Sequence, residues 1–382
     1  MITVRAPIRL TRTLPRVLYS SFHTTIPKRT SNDIAFVFDI DGVLIKGKKI
    51  IKEAKPALEL LNEYKIPYIL MTNGGGVSEK QKADTITEIV GVPISPCQVV
   101  QSHTPMKALA VNNTYKRVMV IGGIGDAGRR VAAEYGFDDV VLPIDIVNSI
   151  PSISPHTMFK QDDLDKYARE FDISKPIDAV LVFHDPRDLN TDVQVVHDIL
   201  NSEGGLIGTK RKITGSPNPA IPIIFSNNDY VYANDFNLPR FGQGAYKIII
   251  DQLYKHTNKL KGDQNMNSLI MGKPFKVQYD FAHHVLIDWK RKIDTRDFNS
   301  KQVLPDLGAV PKDTPFRKIY MVGDNPASDI QGANDHGWES VLLRTGVYQD
   351  EDWENIIAKP TVGIFDHVHD AVNEILKSNR IV

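Results

Sequence analysis

Residues 34 to 45 read IAFVFDIDGVLI, and the manner in which this stretch ends sets the reading of the whole chain. From Ile34 to Phe38 every residue is apolar, and the run stops on Asp39, Asp41 and Gly42. A short, continuous apolar run reads as a strand buried on both faces, the usual kind in a parallel sheet. Open α/β sheets carry their chemistry just past the carboxyl ends of such strands. Here two carboxylates stand two residues apart, followed by a glycine that lets the backbone turn sharply. Like charges in one crevice repel unless a cation or a shared proton compensates. Two readings follow: a metal-assisted catalytic pair, or a strand closed by an ordinary Asp-Gly turn.

Outward from this strand, Lys49 to Tyr64 reads as a helix and Ile66 to Met71 as a second buried strand ending on Thr72-Asn73-Gly74-Gly75-Gly76. Ser78 to Val90 reads as a helix, with Ser78 as N-cap and Gln81 three residues on. This β-α-β-α order predicts a doubly wound parallel sheet. Arg117 to Ile121 is a further strand, running into Gly122 to Gly128 and then a helix to Tyr135. Gly123, Gly125 and Gly128 match the dinucleotide fingerprint, and Asp145 stands near the place of its ribose-binding acid. Against a cofactor site, the match lies mid-chain, behind a βαβ unit that already has polar strand ends of its own.

Residues 143 to 176 read as an irregular insert. Ile177 to Phe183 is a strand ending on His184-Asp185, and a helix is expected over Val193 to Leu200. Ile221 to Phe225 is a strand ending on Ser226 to Asp229, and Gly242 to Tyr254 reads as a helix. Leu269 to Met271 leads into Gly272-Lys273-Pro274. Lys318 to Val322 leads into Gly323-Asp324-Asn325-Pro326, then a helix from Ser328 to His336; Val341 to Leu343 is the last clear strand.

With 382 residues the chain is longer than one average domain, and its 42% apolar content suffices for two cores. The first thirty residues hold Arg5, Arg9, Arg12, Arg16, Lys28 and Arg29, several Ser and Thr, and no acid. That composition is the signature of a mitochondrial transit peptide; the other reading is a disordered basic arm. The rest is mildly acidic, which argues against general nucleic-acid binding. No run reaches the length of a membrane span. Cys97 is the sole cysteine, so no intrachain disulfide forms.

Four strand ends therefore carry polar groups in order: Asp39 with Asp41, Thr72 with Asn73, Lys273, and Asp324 with Asp329. DIDGVL, MTNGGG, MGKP and MVGDNPASD resemble the four motifs of the haloacid dehalogenase-like phosphatase superfamily. The resemblance covers Ile34 to about Thr114 and about Leu238 to Tyr348. The long insert between the second and third motifs resembles the class with a C2-type cap. The transit-like start and the polar inserts are most similar to the cat eye syndrome critical region protein 5-like branch, which is mitochondrial in several eukaryotes. One departure is Gly74, where the family often has a second Asn.

The resemblance implies a role for each matched residue. Asp39 is the expected nucleophile, forming an aspartyl-phosphate. Asp41 is the expected acid for the leaving group and base for water. Asp39, the Asp41 carbonyl and Asp324 are expected to hold Mg²⁺ in an oxygen-only site. Asp329 is expected behind them, orienting metal-bound water or Lys273. Lys273 is expected to neutralise the transferring group, and Thr72, with the nearby backbone N–H groups at Asn73 and Gly74, to bind the phosphate. His184 and Asp185 fall at a cap strand end, where a substrate contact and a structural role are both open.

The expected architecture is an α/β, Rossmann-like core over residues 31–114 and 236–382, with an α/β cap inserted at 115–235 and a transit peptide at 1–30. The implied substrate is a small-molecule phosphate monoester: a sugar phosphate, pyridoxal phosphate, phosphoglycolate or a glycerophospholipid-related ester. A homodimer through the cap fits the same resemblance. Two rivals stand beside this reading, a catalytically quiet scaffold on the same fold and an oxidoreductase built on Gly123 to Gly128.

Overall fold

The structure, a computed structural model, describes residues 33–382 except 213–214, 233–235, 237 and 239. The expected transit segment lies outside the described residues.

Ile34–Phe38 forms β1, and all five of its residues are buried. Phe36 and Phe38 pack into one layer with Leu58, Leu61 and Ile86. Ala35 and Val37 pack into the opposite layer with Phe281, Val285 and Trp289. A strand covered on both faces needs apolar side chains on both, so the run is continuous and does not alternate. A small ribbon follows, β2 (Ile45–Lys46) and β3 (Lys49–Ile50), turned by Gly47 at φ +63°. Its presence delays the first helix, α1, to Ala54–Glu63, five residues past the sequence expectation. Next come β4 (Tyr68–Thr72), α2 (Glu79–Val90), β5 (Val99–Gln101) and α3 (Lys107–Val111). The expected capping box opens α2: Ser78 Oγ accepts from the Gln81 N–H, and Gln81 Oε1 accepts from the Ser78 N–H.

The chain then builds a second sheet. Its elements are β6 (Arg117–Ile121), α4 (Ala127–Tyr135), β7 (Asp139–Val141), α5 (Pro143–Ser149), α6 (Gln161–Tyr167), β8 (Ala179–Val182), α7 (Leu189–Leu200) and β9 (Ile223–Phe225). Two of these, α5 and α6, occupy the stretch expected to be irregular. A ribbon of β10 (Val231–Tyr232) and β11 (Arg240–Phe241) leads to α8 (Gln243–Asn258) and β12 (Leu269–Ile270). The last part holds α9 (Lys276–Thr295), β13 (Lys318–Gly323), α10 (Gln331–Asp335), β14 (Glu339–Leu343), β15 (Gly363–Phe365) and α11 (Val368–Ser378). Neither β15 nor α11 was anticipated.

Both large sheets are parallel. The first has the order β15-β14-β13-β1-β4-β5, the second β12-β9-β8-β6-β7. The return to the first sheet comes later than the expected residue 236. Tyr246, Ile250 and Tyr254 of α8 pack with Met119, Ile121 and Val182, and Leu269 pairs with Ile224. The helix is held to this sheet because Gly244 rests against its end; a Cβ there would lie 2.4 Å from the Asn228 carbonyl oxygen. In the first sheet the winding direction reverses between β1 and β13, opening a crevice at their carboxyl ends. No helix among the described residues is long and apolar enough to cross a membrane.

Candidate active site

The crevice between β1 and β13 receives one carboxylate from each strand end. Asp39 follows β1 and donates its N–H to the Val322 carbonyl (2.9 Å). Asp324 follows β13, and its Oδ2 accepts from the Val347 N–H (2.7 Å). This close seating depends on glycine. A Cβ on Gly346 would lie 1.8 Å from Asp324 Oδ2, and one on Gly42, at φ +87°, 2.5 Å. Asp329 sits in the wide turn Pro326–Ile330 and accepts from the Asn325 N–H through Oδ2 (3.1 Å). Carboxylate oxygens of Asp39, Asp324 and Asp329 all lie within 4.8 Å of one another, and all three residues are buried.

One ammonium faces the three acids. Lys273 is 3% exposed, and its Nζ lies 2.5 Å from Asp39 Oδ1 and 2.6 Å from Asp329 Oδ1. Burial alone would push this lysine down, but Asp329 and Asp39 outweigh it and hold it charged, above its ordinary range. Burial raises Asp39 well above the usual carboxylate range; Lys273 opposes this, and Asp329, Asp324 and Asp41 add to it. Asp324 is pushed up to about 7, first by burial and then by Asp329. Three buried carboxylates against one ammonium leave a site short of positive charge. An all-oxygen donor set of this kind suits a hard divalent cation such as Mg²⁺.

Asp41 is exposed and its side chain stands outside the buried trio, although its charge reaches Asp39. Asp329 stands inside the trio and holds Lys273 directly. Thr72 is buried beside the turn after β4, where its Oγ1 accepts from the Gly74 N–H (2.9 Å). Asn73, expected at the phosphate, has its side chain committed elsewhere. Its Oδ1 accepts from the Lys273 N–H (2.7 Å), and its Nδ2 donates to the Lys273 carbonyl (3.0 Å) and to Asp229 (3.1 Å). Both amide protons and the carbonyl are thereby used. Asp229 and Asn227, which donates to the Asn73 carbonyl (3.2 Å), were missed as partners of this site. Their signal was a polar strand end, Ser226 to Asp229, of the same kind as the other four.

The glycine fingerprint has a packing explanation. The Tyr167 ring lies over Gly125, 2.8 Å from where a Cβ would be, and the His184 carbonyl lies against Gly122. Asp145 is buried and receives Arg129 through two bonds of 2.7 and 2.6 Å, so its carboxylate is not presented to a ribose. His184 packs on Gly76, and burial, with Arg187 and Lys82, pushes its titration down to about 4. A cleft of about 340 Å³ is lined by the Gly75–Val77 segment and by Gly123, Arg130, His184 and Arg187. A second cavity, about 300 Å³, continues past Tyr167 into the body built on the second sheet, where Leu142, Phe159 and Asp192 line it; the first body is the one built on the first sheet. The buried carboxylate trio lines neither cavity.

Residues 36–138 match a family profile described as haloacid dehalogenase-like hydrolase, and residues 270–371 match a second profile of HAD-like hydrolases. A mitochondrial hydrolase of Saccharomyces cerevisiae, YKR070W, is 46% identical over 351 residues, covering 91% of this chain and 97% of that protein. The chain belongs to the haloacid dehalogenase-like hydrolases. Within that family, a cardiolipin synthase (CMP-forming) / mitochondrial hydrolase fusion protein of Schizosaccharomyces pombe is 36% identical over 366 residues, 95% of this chain and 56% of the fusion. In structure the hydrolase resembles a 4-nitrophenylphosphatase of Thermotoga maritima (TM-score 0.54, 16% identity, 90% of this chain and 97% of that one). It also resembles a hypothetical protein of Pyrococcus horikoshii (TM-score 0.55, 17% identity, 90% and 99%). These structural likenesses speak to the fold.

Proposed function

We propose that this hydrolase is a Mg²⁺-dependent phosphatase that cleaves a small-molecule phosphate monoester through an aspartyl-phosphate on Asp39. The supporting observation is the seating of Asp39 at the end of the central strand, with Lys273 on one oxygen and Asp324 and Asp329 within 4.8 Å. Asp39, Asp324 and the Asp41 main chain are the groups that hold the cation, which when bound screens the phosphate charge from the carboxylates. An Asp39 oxygen attacks phosphorus, and the bond from phosphorus to the ester oxygen breaks in line. Asp41 delivers a proton to the departing oxygen. Water then attacks the aspartyl-phosphate, Asp41 takes its proton, and the bond from phosphorus to Asp39 breaks to release phosphate. Lys273, fixed by Asp329 and Asn73, balances the charge that builds on the phosphoryl oxygens. The Thr72 hydroxyl proton and the free N–H groups of its turn supply hydrogen bonds to those oxygens.

The test is a panel of phosphate monoesters given to the purified protein with and without Mg²⁺. It should include sugar phosphates, pyridoxal phosphate, phosphoglycolate and glycerophospholipid phosphates. The fusion of the Schizosaccharomyces pombe relative to a cardiolipin synthase supports the last of these. Hydrolysis that needs Mg²⁺ is the expected result, and inertness across the panel favours a quiet scaffold. A mitochondrial location is supported by the names of the two relatives and by the basic, acid-free first thirty residues. Sequencing the amino terminus of organellar protein should place its start near residues 21 to 31; a wholly cytosolic pool counts against it.

A further inference from the structure

The turn after Thr72 contains three successive glycines, Gly74, Gly75 and Gly76; Thr72 Oγ1 holds the first of them, and the other two have no side chain of the turn to hold them. It is braced from outside. The Gly76 N–H donates to Nε2 of His103 (3.1 Å), and a Cβ on Gly75 would lie 2.7 Å from His103 Cδ2. A ring nitrogen that accepts a hydrogen bond carries no proton, so the neutral imidazole has its proton on Nδ1. Nδ1 lies 2.6 Å from the Tyr135 hydroxyl, which in turn donates to Glu79 Oε1 at 2.5 Å. Every donor in the chain runs one way, from the glycine turn through ring and phenol to a carboxylate.

The far end is well anchored. Glu79 Oε1 also accepts from Thr104 Oγ1 (2.7 Å), and Oε2 meets Lys107 Nζ at 2.8 Å. Burial would raise the Glu79 carboxyl, but the Lys107 charge and the hydrogen bonds from Lys107 and Tyr135 bring it below its ordinary value. His103 is wholly buried, Tyr135 and Glu79 nearly so, and the imidazole stacks on Phe183 with centroids 5.1 Å apart. Burial keeps the ring neutral, its titration pushed down to about 4. His103, Thr104 and Glu79 belong to the first body, while Tyr135 on α4 and Phe183 after β8 belong to the second. None of them has a part in the chemistry above.

We propose that His103 is a positioning residue of the hydrolytic site, fixing the Thr72–Gly76 turn through the Gly76 N–H and linking that turn to α4 through Tyr135 and Glu79. The role rests on the phosphatase reading, in which this turn holds the phosphate. A glycine turn free to wander presents its N–H groups in many directions, and a brace from a rigid, stacked ring selects one of them.

Selective ¹⁵N-histidine NMR of the full chain, with His103 assigned through His103→Gln, should show Nδ1 protonated and Nε2 bare. On the best phosphate monoester of the panel, Tyr135→Phe should lower kcat about tenfold with KM little changed, the effect of one lost buried hydrogen bond. His103→Leu should lower it further. His103→Gln, whose Oε1 can accept from the Gly76 N–H, should recover much of the loss. A protonated Nε2, a Tyr135→Phe variant with unaltered kcat, or equal activity of the Leu and Gln variants overturns the proposal. If the unmodified protein hydrolyses no phosphate monoester, the phosphatase reading falls and this role falls with it. If it is active and the variants match it, only the positioning role is lost.

Discussion

In the proposed mechanism Asp39 and Asp324 have separable roles, the one as nucleophile and the other as metal ligand. Asp39→Asn keeps shape and removes the attacking charge; kcat should fall at least about a thousandfold, about 4 kcal/mol of barrier. Asp324→Asn should instead weaken Mg²⁺ binding and regain rate in excess metal. Measured metal titrations of the two variants separate these outcomes, and metal rescue of Asp39→Asn would contradict a covalent mechanism. A different acid reports on stability. Asp192 on α7 is 5% exposed, and burial, then Asp188, pushes its carboxyl up to about 7. Between about pH 4 and pH 7 the folded state keeps a proton that the unfolded chain has lost, so stability falls as pH rises through that window. Asp192→Asn removes a cost of about 4 kcal/mol at most. Its Tm should exceed that of the unmodified protein near pH 8 and match it near pH 4. Equal Tm values near pH 8 would rule the assignment out.

Among the elements, the strand ends do the positioning and the loops behind them set the tolerance. The segment after β14 runs so close to Asp324 that residue 346 has no room for a methyl group. Gly346→Ala should therefore displace the Asp324 carboxylate. The expected signs are weaker Mg²⁺ binding and a loss of stability on the order of 1–3 kcal/mol. Unchanged metal affinity would mean that the backbone yields where the carboxylate was expected to move. The elements themselves were largely legible. A strand buried on both faces has an apolar run as its necessary consequence, and β1, β4, β6, β8, β9 and β13 were all found that way. The capping box of α2 was read from Ser78 and Gln81 alone because it is a contact within one turn. By contrast α5 and α6 were not seen, being short and set among Pro, Ser and Asp, whose local preferences point to turns. Strand β15, three half-buried residues, gives no apolar run to read.

For the molecule as a whole, Asn73 is the join. It ties the end of β4 to the main chain of Lys273 and to Asp229, which lies beyond β9 in the other sheet. Asn73→Asp places a carboxylate against Asp229 and should lower both stability and kcat, since Lys273 loses its fixed place. Adding Asp229→Asn restores an amide opposite a carboxylate. The pair should show a coupling energy of about 0.5–3 kcal/mol in thermal or denaturant melts. Strict additivity of the two exchanges would deny the contact. The same long-range logic explains the late return of the chain to the first sheet. Helix α8 could belong to either body on its own pattern, and only the apolar faces of β6 and β8 decide that it covers the second.

Local chemistry is what the sequence determined by itself. The double-sided apolar strands, the polar groups at their carboxyl ends and the order of the four motifs follow from residues close together in the chain, and they suffice for the fold class and for naming Asp39, Lys273, Asp324 and Asp329. The tertiary structure alone decided which of these groups meet. It placed Lys273 between Asp39 and Asp329 across 234 and 56 residues. It left the Asp41 side chain outside the trio and engaged the Asn73 side chain with Lys273 and Asp229. It also paired Asp145 with Arg129 and covered Gly125 with Tyr167, so that a fingerprint-like spacing became a packing feature. The physical reason is common to all of these. Hydrogen-bond capacity is finite, and whether a polar group is free for a ligand depends on distant partners that no local pattern records.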